Sequence, residues 1–239
     1  MLDRLKRRIG PKVSLPLVGA RHVEPSAIAS LDDDPAGASE RLLDIAEAAI
    51  RVARNVSMAS ISDRIQEGPK YPDVWPGEHY KLLAALVNVT GAERVIEIGT
   101  YQGLGALALL QTLPAGGQVL TFDIVPYREI PGHVLQAGDF RDGRLMQVIA
   151  DITTDDGFAE HCVALREADL IFVDAAKDGR QERVFLQRFE EVGFDRRPLV
   201  VFDDTRLPNM LQIWREIRRP KLDLTSFGHW SGTGLVDYA

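Results

Sequence analysis

The amino-acid sequence predicts an α/β fold: a doubly wound, mostly parallel sheet with helices on both faces and a C-terminal antiparallel strand pair. Short, largely apolar runs alternate with longer stretches of helical period from residue 94 to residue 218. Such runs are typical of parallel strands that are covered on both faces, and the alternation indicates crossover connections through helices. Two further strand-like runs flank a Gly-rich turn near residue 230, which favours a closing hairpin.

The elements follow from these patterns in chain order. The five parallel strands are predicted at Arg94–Ile98, Gln118–Phe122, Leu145–Ile149, Leu170–Val173 and Leu199–Phe202. The helices between and after them are predicted at Gly103–Thr112, Gly157–Leu165, Gln181–Val192 and Asn209–Arg218. The closing strands are predicted at Leu222–Phe227 and Thr233–Tyr238.

The N-terminal part of the chain follows a different pattern. Repeated prolines and an acidic run interrupt any period through residue 38, which indicates an irregular arm. Ser39 is a suitable N-cap for one or two amphipathic helices that extend to about Ile65, and a further helix is predicted from Glu78 to Val89. We therefore divide the chain into residues 1–77, an arm with helices, and residues 78–239, the α/β domain. The apolar stripes of the first part would be covered either as a substrate lid or in a homodimer.

The composition excludes several classes of protein. The 239 residues are 45% hydrophobic and 26% charged, as in ordinary globular proteins, and the formal net charge of −7 disfavours nucleic acid as the main partner. No apolar run approaches the roughly 20 residues that span a bilayer, so no membrane partner is expected. The single cysteine, Cys162, excludes an internal disulfide framework and a cysteine-based zinc site. The basic N-terminus has no apolar region of a signal peptide after it, and a cytoplasmic location is expected.

Every predicted parallel strand ends in a carboxylate. In open α/β sheets, ligands bind beyond the carboxyl ends of the strands. A single acid at such a place is often only a helix cap, but five strands of five favour a ligand site. The residues concerned are Glu97 with Gly99, Asp123, Asp151, Asp174, and the pair Asp203 and Asp204.

The first strand runs into a glycine turn whose spacing is Gly-x₃-Gly-x-Gly, at Gly99, Gly103 and Gly105. This is neither the Gly-x-Gly-x-x-Gly fingerprint of dinucleotide-binding folds nor a P-loop. Asp123 ends the next strand about 20 residues later, where an acid can accept hydrogen bonds from both hydroxyls of a ribose. An NAD(P)-dependent oxidoreductase of the short-chain type also uses the glycine spacing, but none of the tyrosines begins the Tyr-x₃-Lys proton relay that this class needs.

The segment from Glu97 to Gly103 resembles the first motif of Rossmann-like class I methyltransferases, which has an acid two residues before the glycine turn. The resemblance implies S-adenosylmethionine as cofactor. Glu97 and the turn residues Gly99, Thr100, Tyr101 and Gly103 would hold its amino-acid part. Asp123 would hold the ribose, Asp151 would lie near the adenine amino group, and Asp174 would border the same cleft.

A second motif is more specific. Ile171–Asp178 resembles the Phe-Ile-Asp-Ala-Asp-Lys motif of cation-dependent O-methyltransferases of the catechol and caffeoyl-CoA type, in which the Asp is a metal ligand. The family's downstream Asp-Asn pair corresponds to Asp203 and Asp204, which follow Asp174 by 29 residues. The resemblance covers about residues 78 to 239 and implies that Asp174, Asp203 and Asp204 bind the metal.

The sequence departs from this family at two positions: Ala176 replaces the usual second acid, and Asp204 replaces the usual Asn. The Asp-Asp pair is closer to metal-dependent sugar O-methyltransferases. The expected acceptor is therefore a hydroxyl of a small molecule or saccharide, with a sugar or natural product favoured over a catechol. Three carboxylates in one cleft repel each other unless a cation is present, and oxygen ligands favour Mg²⁺, with Mn²⁺ or Ca²⁺ as alternatives.

Two side chains are candidates for catalysis. Lys177 stands at the position of the family's general base, and His229, in the last turn beside Trp230, is expected near the acceptor, as is His79. Two other interpretations stay open. In the first, the Asp203–Asp204 pair caps the next helix and binds no metal. In the second, the domain keeps the cofactor-binding fold but is a binding module without catalytic activity.

Overall fold

A computed structural model describes residues 37–239, so the predicted arm lies outside the described residues except for its last two positions. The strands are β1 Arg94–Ile98, β2 Gln118–Asp123, β3 Leu145–Ile149, β4 Leu170–Val173, β5 Leu199–Asp203, β6 Lys221–Asp223 and β7 Thr233–Asp237. The α-helices are α1 Glu40–Ala53, α2 Ala59–Ser62, α3 Tyr80–Thr90, α4 Leu104–Leu110, α5 Asp155–Arg166, α6 Gln181–Glu191 and α7 Pro208–Glu216. Across residues 37–239, each helix is too short or too polar to cross a membrane.

All seven strands form one sheet in the order β3-β2-β1-β4-β5-β7-β6. The pairings from β3 to β5 are parallel, whereas β7 runs antiparallel to both of its neighbours. The chain moves outward from β1 to β3 and then returns to place β4 on the other side of β1, so the strand order reverses between β1 and β4. The predicted fold class, a mostly parallel sheet with a closing antiparallel pair, is confirmed.

Successive strand residues face two separate apolar layers, because side chains alternate across a strand. In β4, Leu170 and Phe172 pack with helices α1, α3 and α4, whereas Ile171 and Val173 pack with α5, α6 and α7. Each of these four side chains is at most 1% exposed. The all-apolar sequence of this strand therefore follows from its cover on both faces, and only its ends are free to carry polar groups.

Helix α1 packs onto this core and does not stand apart from it. Ser39 caps the helix by accepting a hydrogen bond from the N–H of Leu42 at 3.2 Å, as predicted. The hydroxyl of Ser39 also donates to Asp237 of β7 at 2.6 Å, and Arg41 forms an ion pair with the same carboxylate. The buried residue Leu42 shares one apolar cluster with α3. The stripe of α1 is thus covered within one chain, and the homodimer stays a prediction.

The predicted strand Leu222–Phe227 is too long. Strand β6 ends at Asp223, whose Oδ1 accepts the N–H of Thr225 at 2.9 Å, and a 3₁₀ turn at Thr225–Phe227 follows. Asp side chains that bond the backbone two residues ahead stabilise turns in place of a sheet ladder. The apolar residues of this segment are therefore in a turn that leads to His229.

Candidate functional site

A cavity of about 440 Å³ opens at the carboxyl ends of β1, β2 and β4, where the strand order reverses. This is the position at which doubly wound sheets bind ligands. Apolar side chains such as Phe122, Ile124 and Phe185 form part of its wall. Seven of the predicted site residues also line it: Gly99, Tyr101, Asp123, Asp151, Asp174, Lys177 and Asp204.

The turn after β1 lies directly against the end of β4. Gly99 has a φ of +105°, and a Cβ at this position would be 2.1 Å from the carbonyl oxygen of Asp174. Only glycine fits both the backbone conformation and the close approach. The next residue but one, Tyr101, has a φ of 42° and donates its N–H to Oδ2 of Asp123 at 2.9 Å. The turn is therefore held on both sides, by β4 and by the acid at the end of β2.

The two acids predicted to bind the nucleoside differ in their surroundings. Asp123 accepts backbone N–H groups on both oxygens, from Tyr101 and from Val125 at 3.0 Å, which fixes the carboxylate at the cavity wall. Asp151 uses Oδ1 to accept the N–H and the hydroxyl of Thr153, at 2.9 and 2.6 Å. Each acid keeps acceptor capacity that faces the cavity.

Three residues predicted to contact the cofactor lie behind the cavity wall: Glu97, Thr100 and Gly103 are not among the residues that line it. Glu97 is 1% exposed and accepts the hydroxyl of Thr121 at 2.5 Å. Thr100 shares a 2.7 Å hydrogen bond with the same hydroxyl, and Gly103, with a φ of 87°, leads into α4. Burial raises the pKa of Glu97 well above its ordinary value. The hydroxyl of Thr121 thus links Glu97 to Thr100 of the glycine turn.

The carboxylates at the ends of β4 and β5 meet around one ammonium group. Nζ of Lys177 lies 2.5 Å from Oδ1 of Asp174 and 3.6 Å from Oδ2 of Asp204. Burial lowers the pKa of Lys177, but Asp174, Asp203 and Asp204 raise it by more, so it ends above its ordinary value. Burial also raises the pKa of Asp174, and Lys177 offsets only part of this. Lys177 is therefore an ammonium in this arrangement and is not ready to accept a proton.

His229 joins the same cluster from the turn before β7. Its Nδ1 is 3.0 and 3.1 Å from the two oxygens of Asp203 and 2.9 Å from the hydroxyl of Ser231, which donates to Asp204. Burial lowers the pKa of His229, but its hydrogen bond to Asp203 and the nearby acids raise it by more. Burial raises the pKa of Asp203, but His79 and His229 lower it by more. The structure thus brings all three predicted metal ligands and both predicted catalytic residues to one place.

His79 was predicted only as an acceptor contact, yet it lies inside the acid cluster. Its side chain is buried, at 2% exposure, and its Nδ1 is 3.4 Å from Oδ1 of Asp203. The ring packs between Tyr80, Phe172 and His229, with centroids 4.3, 5.3 and 5.0 Å away. The signal in the sequence was an acid-imidazole pair, Glu78 and His79, directly after a Pro-Gly turn and before an apolar helix.

Glu182 is a second residue that the sequence reasoning missed. It is fully buried, and its two oxygens accept the N–H groups of Lys177 at 2.8 Å and Gly179 at 2.9 Å. Lys177 has a φ of 58°, a conformation that non-glycine residues seldom adopt. Glu182 therefore fixes the loop that carries Lys177. The available signal was an acid in the first turn of α6, where acids commonly bind free N–H groups.

The donor set of this cluster fits a divalent cation. Three groups of side chains each offer ligand atoms within 4.8 Å of one another: Glu78, His79 and His229; His79, Asp174 and Asp203; and Asp203, Asp204 and His229. Carboxylate oxygens suit Mg²⁺, Mn²⁺ and Ca²⁺. The buried imidazole of His79 is a second feature that fits a metal. Neither of its ring nitrogens forms a hydrogen bond to a described residue.

Comparisons with known proteins agree with these observations. A family model described as O-methyltransferase matches residues 68–205. Tricin synthase 1 from Oryza sativa subsp. japonica is 36% identical over 107 residues, 41% of this chain and 40% of that protein. Caffeoyl-CoA O-methyltransferase 1 from Zea mays is 33% identical over 106 residues, 41% of this chain and 38% of that protein. The chain thus spans about two fifths of the length of these curated relatives.

Solved structures resemble the chain over a larger part of its length. The O-methyltransferase from Bacillus cereus in complex with SAH is 18% identical, with a TM-score of 0.47, covering 79% of this chain and 89% of that one. The SAH-bound Podospora anserina methyltransferase PaMTH1 is 16% identical, with a TM-score of 0.49, covering 84% and 88%. Both therefore align with most of each chain at low sequence identity.

Proposed function

The chain belongs to the O-methyltransferase family, and from that premise we propose that it transfers the methyl group of S-adenosylmethionine to a hydroxyl of a small molecule or saccharide. One observation carries the proposal: Asp123 and the group of Asp174, Lys177 and Asp204 line the same cavity. A nucleoside cofactor bound through Asp123 would have its reactive end beside the acid cluster. Binding and chemistry then share one cleft.

Several contacts support S-adenosylmethionine as the cofactor. The cavity volume of about 440 Å³ lies within the usual range of small-molecule sites, roughly 300–1,000 Å³. Asp123 is fixed by two backbone N–H groups and would accept the ribose hydroxyls. The turn at Gly99 would hold the amino-acid part, with Glu97 and Thr100 as its support, and Asp151 would lie near the adenine.

The acceptor would bind at the acid cluster, next to the cofactor. We propose that Asp174, Asp203 and Asp204 hold a divalent cation there, Mg²⁺ or an ion of similar chemistry. Such a cation, when bound, lowers the pKa of a hydroxyl in contact with it. The neighbouring groups that could receive the hydroxyl proton are His229, in its neutral form, and Lys177, after it has itself lost a proton to become a neutral amine.

Positioning is the main contribution expected from the protein, because methyl transfer disperses charge and gains most from aligned reactants. Two features of the site hold its loops in fixed positions. Glu182 fixes the Lys177 loop through two backbone hydrogen bonds, and the glycine turn has a close backbone contact at Asp174. Both substrates would therefore meet rigid walls.

A saccharide or natural-product hydroxyl is the acceptor that we favour over a catechol, since Asp204 and Ala176 depart from the catechol-type motif. Aromatic side chains near His229 offer a flat surface for a ring: Trp230 is 72% exposed, and Trp75 stacks on Phe227 with centroids 6.3 Å apart. The relatives named caffeoyl-CoA O-methyltransferase make a phenolic acceptor the alternative to be tested.

Calorimetric titration with S-adenosylhomocysteine and with NAD tests the cofactor. We expect binding of S-adenosylhomocysteine, at least tenfold weaker in Asp123→Asn because one hydroxyl acceptor loses its charge. Asp44→Asn, which changes an exposed acid on α1, should leave the affinity unchanged. Binding of NAD in place of S-adenosylhomocysteine would support the oxidoreductase alternative, and binding of neither would contradict the proposal.

Transfer of labelled methyl groups to a panel of sugars and catechols tests the acceptor and the cation. We expect transfer to vicinal sugar hydroxyls, loss of transfer with a chelator, and loss in Asp203→Ala. Retention of S-adenosylhomocysteine binding in Asp203→Ala would show that the cofactor site is intact. Full activity of Asp203→Ala would contradict the role of the acid cluster, and transfer to catechols alone would exclude the saccharide.

A further inference from the structure

His79 presents a buried imidazole to the acid cluster without a hydrogen bond of its own. Its side chain is 2% exposed, and neither Nδ1 nor Nε2 is hydrogen-bonded to any residue from 37 to 239. Burial of a polar group without a partner is unfavourable, so such a group in a folded protein calls for an explanation, such as a bound ion. The charged atom that its Nδ1 approaches, at 3.4 Å, is Oδ1 of Asp203.

The spacing of this imidazole and two carboxylates suits a metal ion. His79, Asp174 and Asp203 each offer one ligand atom, and the three atoms lie within 4.8 Å of one another. At metal–ligand distances of about 2.1 Å, two ligand atoms on opposite sides of a cation are about 4.2 Å apart. Since at most one pair of three ligands can be opposite each other, the three side chains would move closer together when they coordinate one ion.

We propose that His79 is a direct ligand of the divalent cation, together with Asp174 and Asp203, and that the site prefers first-row transition metal ions to Mg²⁺ and Ca²⁺. This inference deepens the proposed function and rests on its cation at the acid cluster. Imidazole nitrogen suits transition metals, whereas sites of carboxylate and water alone suit Mg²⁺ and Ca²⁺. The acids alone predicted Mg²⁺, and the imidazole changes that expectation.

The second histidine of the cluster is placed for a different role. Nδ1 of His229 is already within 3.1 Å of both oxygens of Asp203 and 2.9 Å from the hydroxyl of Ser231. A histidine bonded to a ligating carboxylate orients that ligand without touching the metal. We therefore assign His229 to the support of Asp203, and His79 to the metal.

Mn²⁺ titration of the chelator-treated full chain, followed by electron paramagnetic resonance, tests this assignment. Pulsed spectra of the bound Mn²⁺ should show coupling to a directly bound nitrogen, which changes when the histidines carry ¹⁵N. His79→Gln should weaken Mn²⁺ binding at least tenfold and remove the coupling, as expected when a ligand is lost. His161→Gln, which alters a histidine in edge-to-face contact with Phe122 outside the cluster, should change neither.

His229→Gln separates the two histidines of the cluster. The inference is supported if the nitrogen coupling persists in His229→Gln. This result can be interpreted even if His79→Gln does not fold. It is overturned if wild-type protein shows no nitrogen coupling, or if the coupling is lost in His229→Gln and kept in His79→Gln. Absence of Mn²⁺ binding also overturns it, while S-adenosylhomocysteine binding would still decide the cofactor proposal separately.

Competition for the bound Mn²⁺ tests the metal preference. We expect Co²⁺ to displace Mn²⁺ at a concentration at least tenfold lower than Mg²⁺ does, because Co²⁺ gains more from an imidazole ligand. In His79→Gln the ratio between the two ions should become smaller. An unchanged ratio in this variant would contradict the selectivity part of the proposal.

Discussion

The ammonium group of Lys177 lies 2.5 Å from Oδ1 of Asp174, only three residues earlier in the chain. The same group reaches Asp204 at the end of the neighbouring strand at 3.6 Å. The side chain of Lys177 is 12% exposed, whereas those of Asp174 and Asp204 are 34% and 18% exposed, so water screens these contacts in part. Lys177 therefore supplies positive charge to acids from two strands at once, and its removal should be felt in stability as well as in activity.

Replacement of Lys177 by Met should lower the free energy of unfolding by on the order of 2 kcal/mol at pH 7, because two partly buried carboxylates, those of Asp174 and Asp204, lose their partner. Urea denaturation measures the change. Lys70→Met is the matched control: Lys70 pairs with Asp63 at 2.9 Å, but both side chains are more than half exposed, and such pairs contribute about 0–1 kcal/mol. Equal losses in the two variants would contradict this account.

Replacement of Glu182 by Ala should lower kcat at least tenfold while the KM for S-adenosylmethionine changes less than threefold. Glu182 acts through the Lys177 loop and lies away from the cavity lining, so it should affect the alignment of reactants more than cofactor binding. Steady-state kinetics separates the two parameters. Glu160→Ala, at an exposed position of α5, serves as control. A tenfold rise in the KM for S-adenosylmethionine, with kcat unchanged, would instead assign Glu182 to cofactor binding.

Gly99→Ala should destabilise the protein by about 3 kcal/mol and abolish S-adenosylhomocysteine binding. The new Cβ would lie 2.1 Å from the carbonyl oxygen of Asp174 at a φ of +105°, so clash and backbone strain act together. Gly138→Ala is the control, because its Cβ would meet no atom within 4 Å. Thermal unfolding with and without ligand measures both effects. Normal ligand binding by Gly99→Ala would show that the turn is not close to the cofactor.

Glu97→Gln should change the pH dependence of stability. Burial raises the pKa of Glu97 above its unfolded value, so the folded state favours the protonated carboxyl. The wild-type protein should therefore lose stability as pH rises from the unfolded pKa towards the folded one, and the neutral amide of the variant should remove this contribution. Urea denaturation between pH 5 and pH 8 should show a smaller fall for the variant. If the free energy of unfolding changed with pH in the same way in both proteins, Glu97 would be ionised in the folded state and this account would be wrong.

The five parallel strands could be located from the sequence because burial on both faces requires uninterrupted apolar runs. Predicted and observed bounds of β1, β3 and β4 are identical, and β2 and β5 each extend one residue further, to Asp123 and Asp203. By contrast, the sequence did not predict where α1 ends and α2 begins. Its geometry depends on a tertiary contact, since the N–H of Met58 donates to Asp73 at 2.7 Å.

The same distinction applies to the site. Asp123, Asp174 and Asp203 were recognisable because each ends or directly follows an apolar strand, and parallel strands bring their ends to one edge. His79 was not recognisable as part of the acid cluster, because its approach to Asp203 depends on how the residue before α3 lies against Phe172 of β4 and the end of β5. Contacts between elements distant in sequence carry no local pattern.

Strand β7 is paired with β5 on one side and β6 on the other, and the residues just before it, His229 and Ser231, complete the surroundings of Asp203 and Asp204. During synthesis, a nascent chain that has exposed only β1 to β5 has an unpaired edge at β5 and lacks these side chains. Ribosome-bound intermediates of that length should thus need protection from association through the open edge, and they could not yet carry out the reaction proposed for the finished protein.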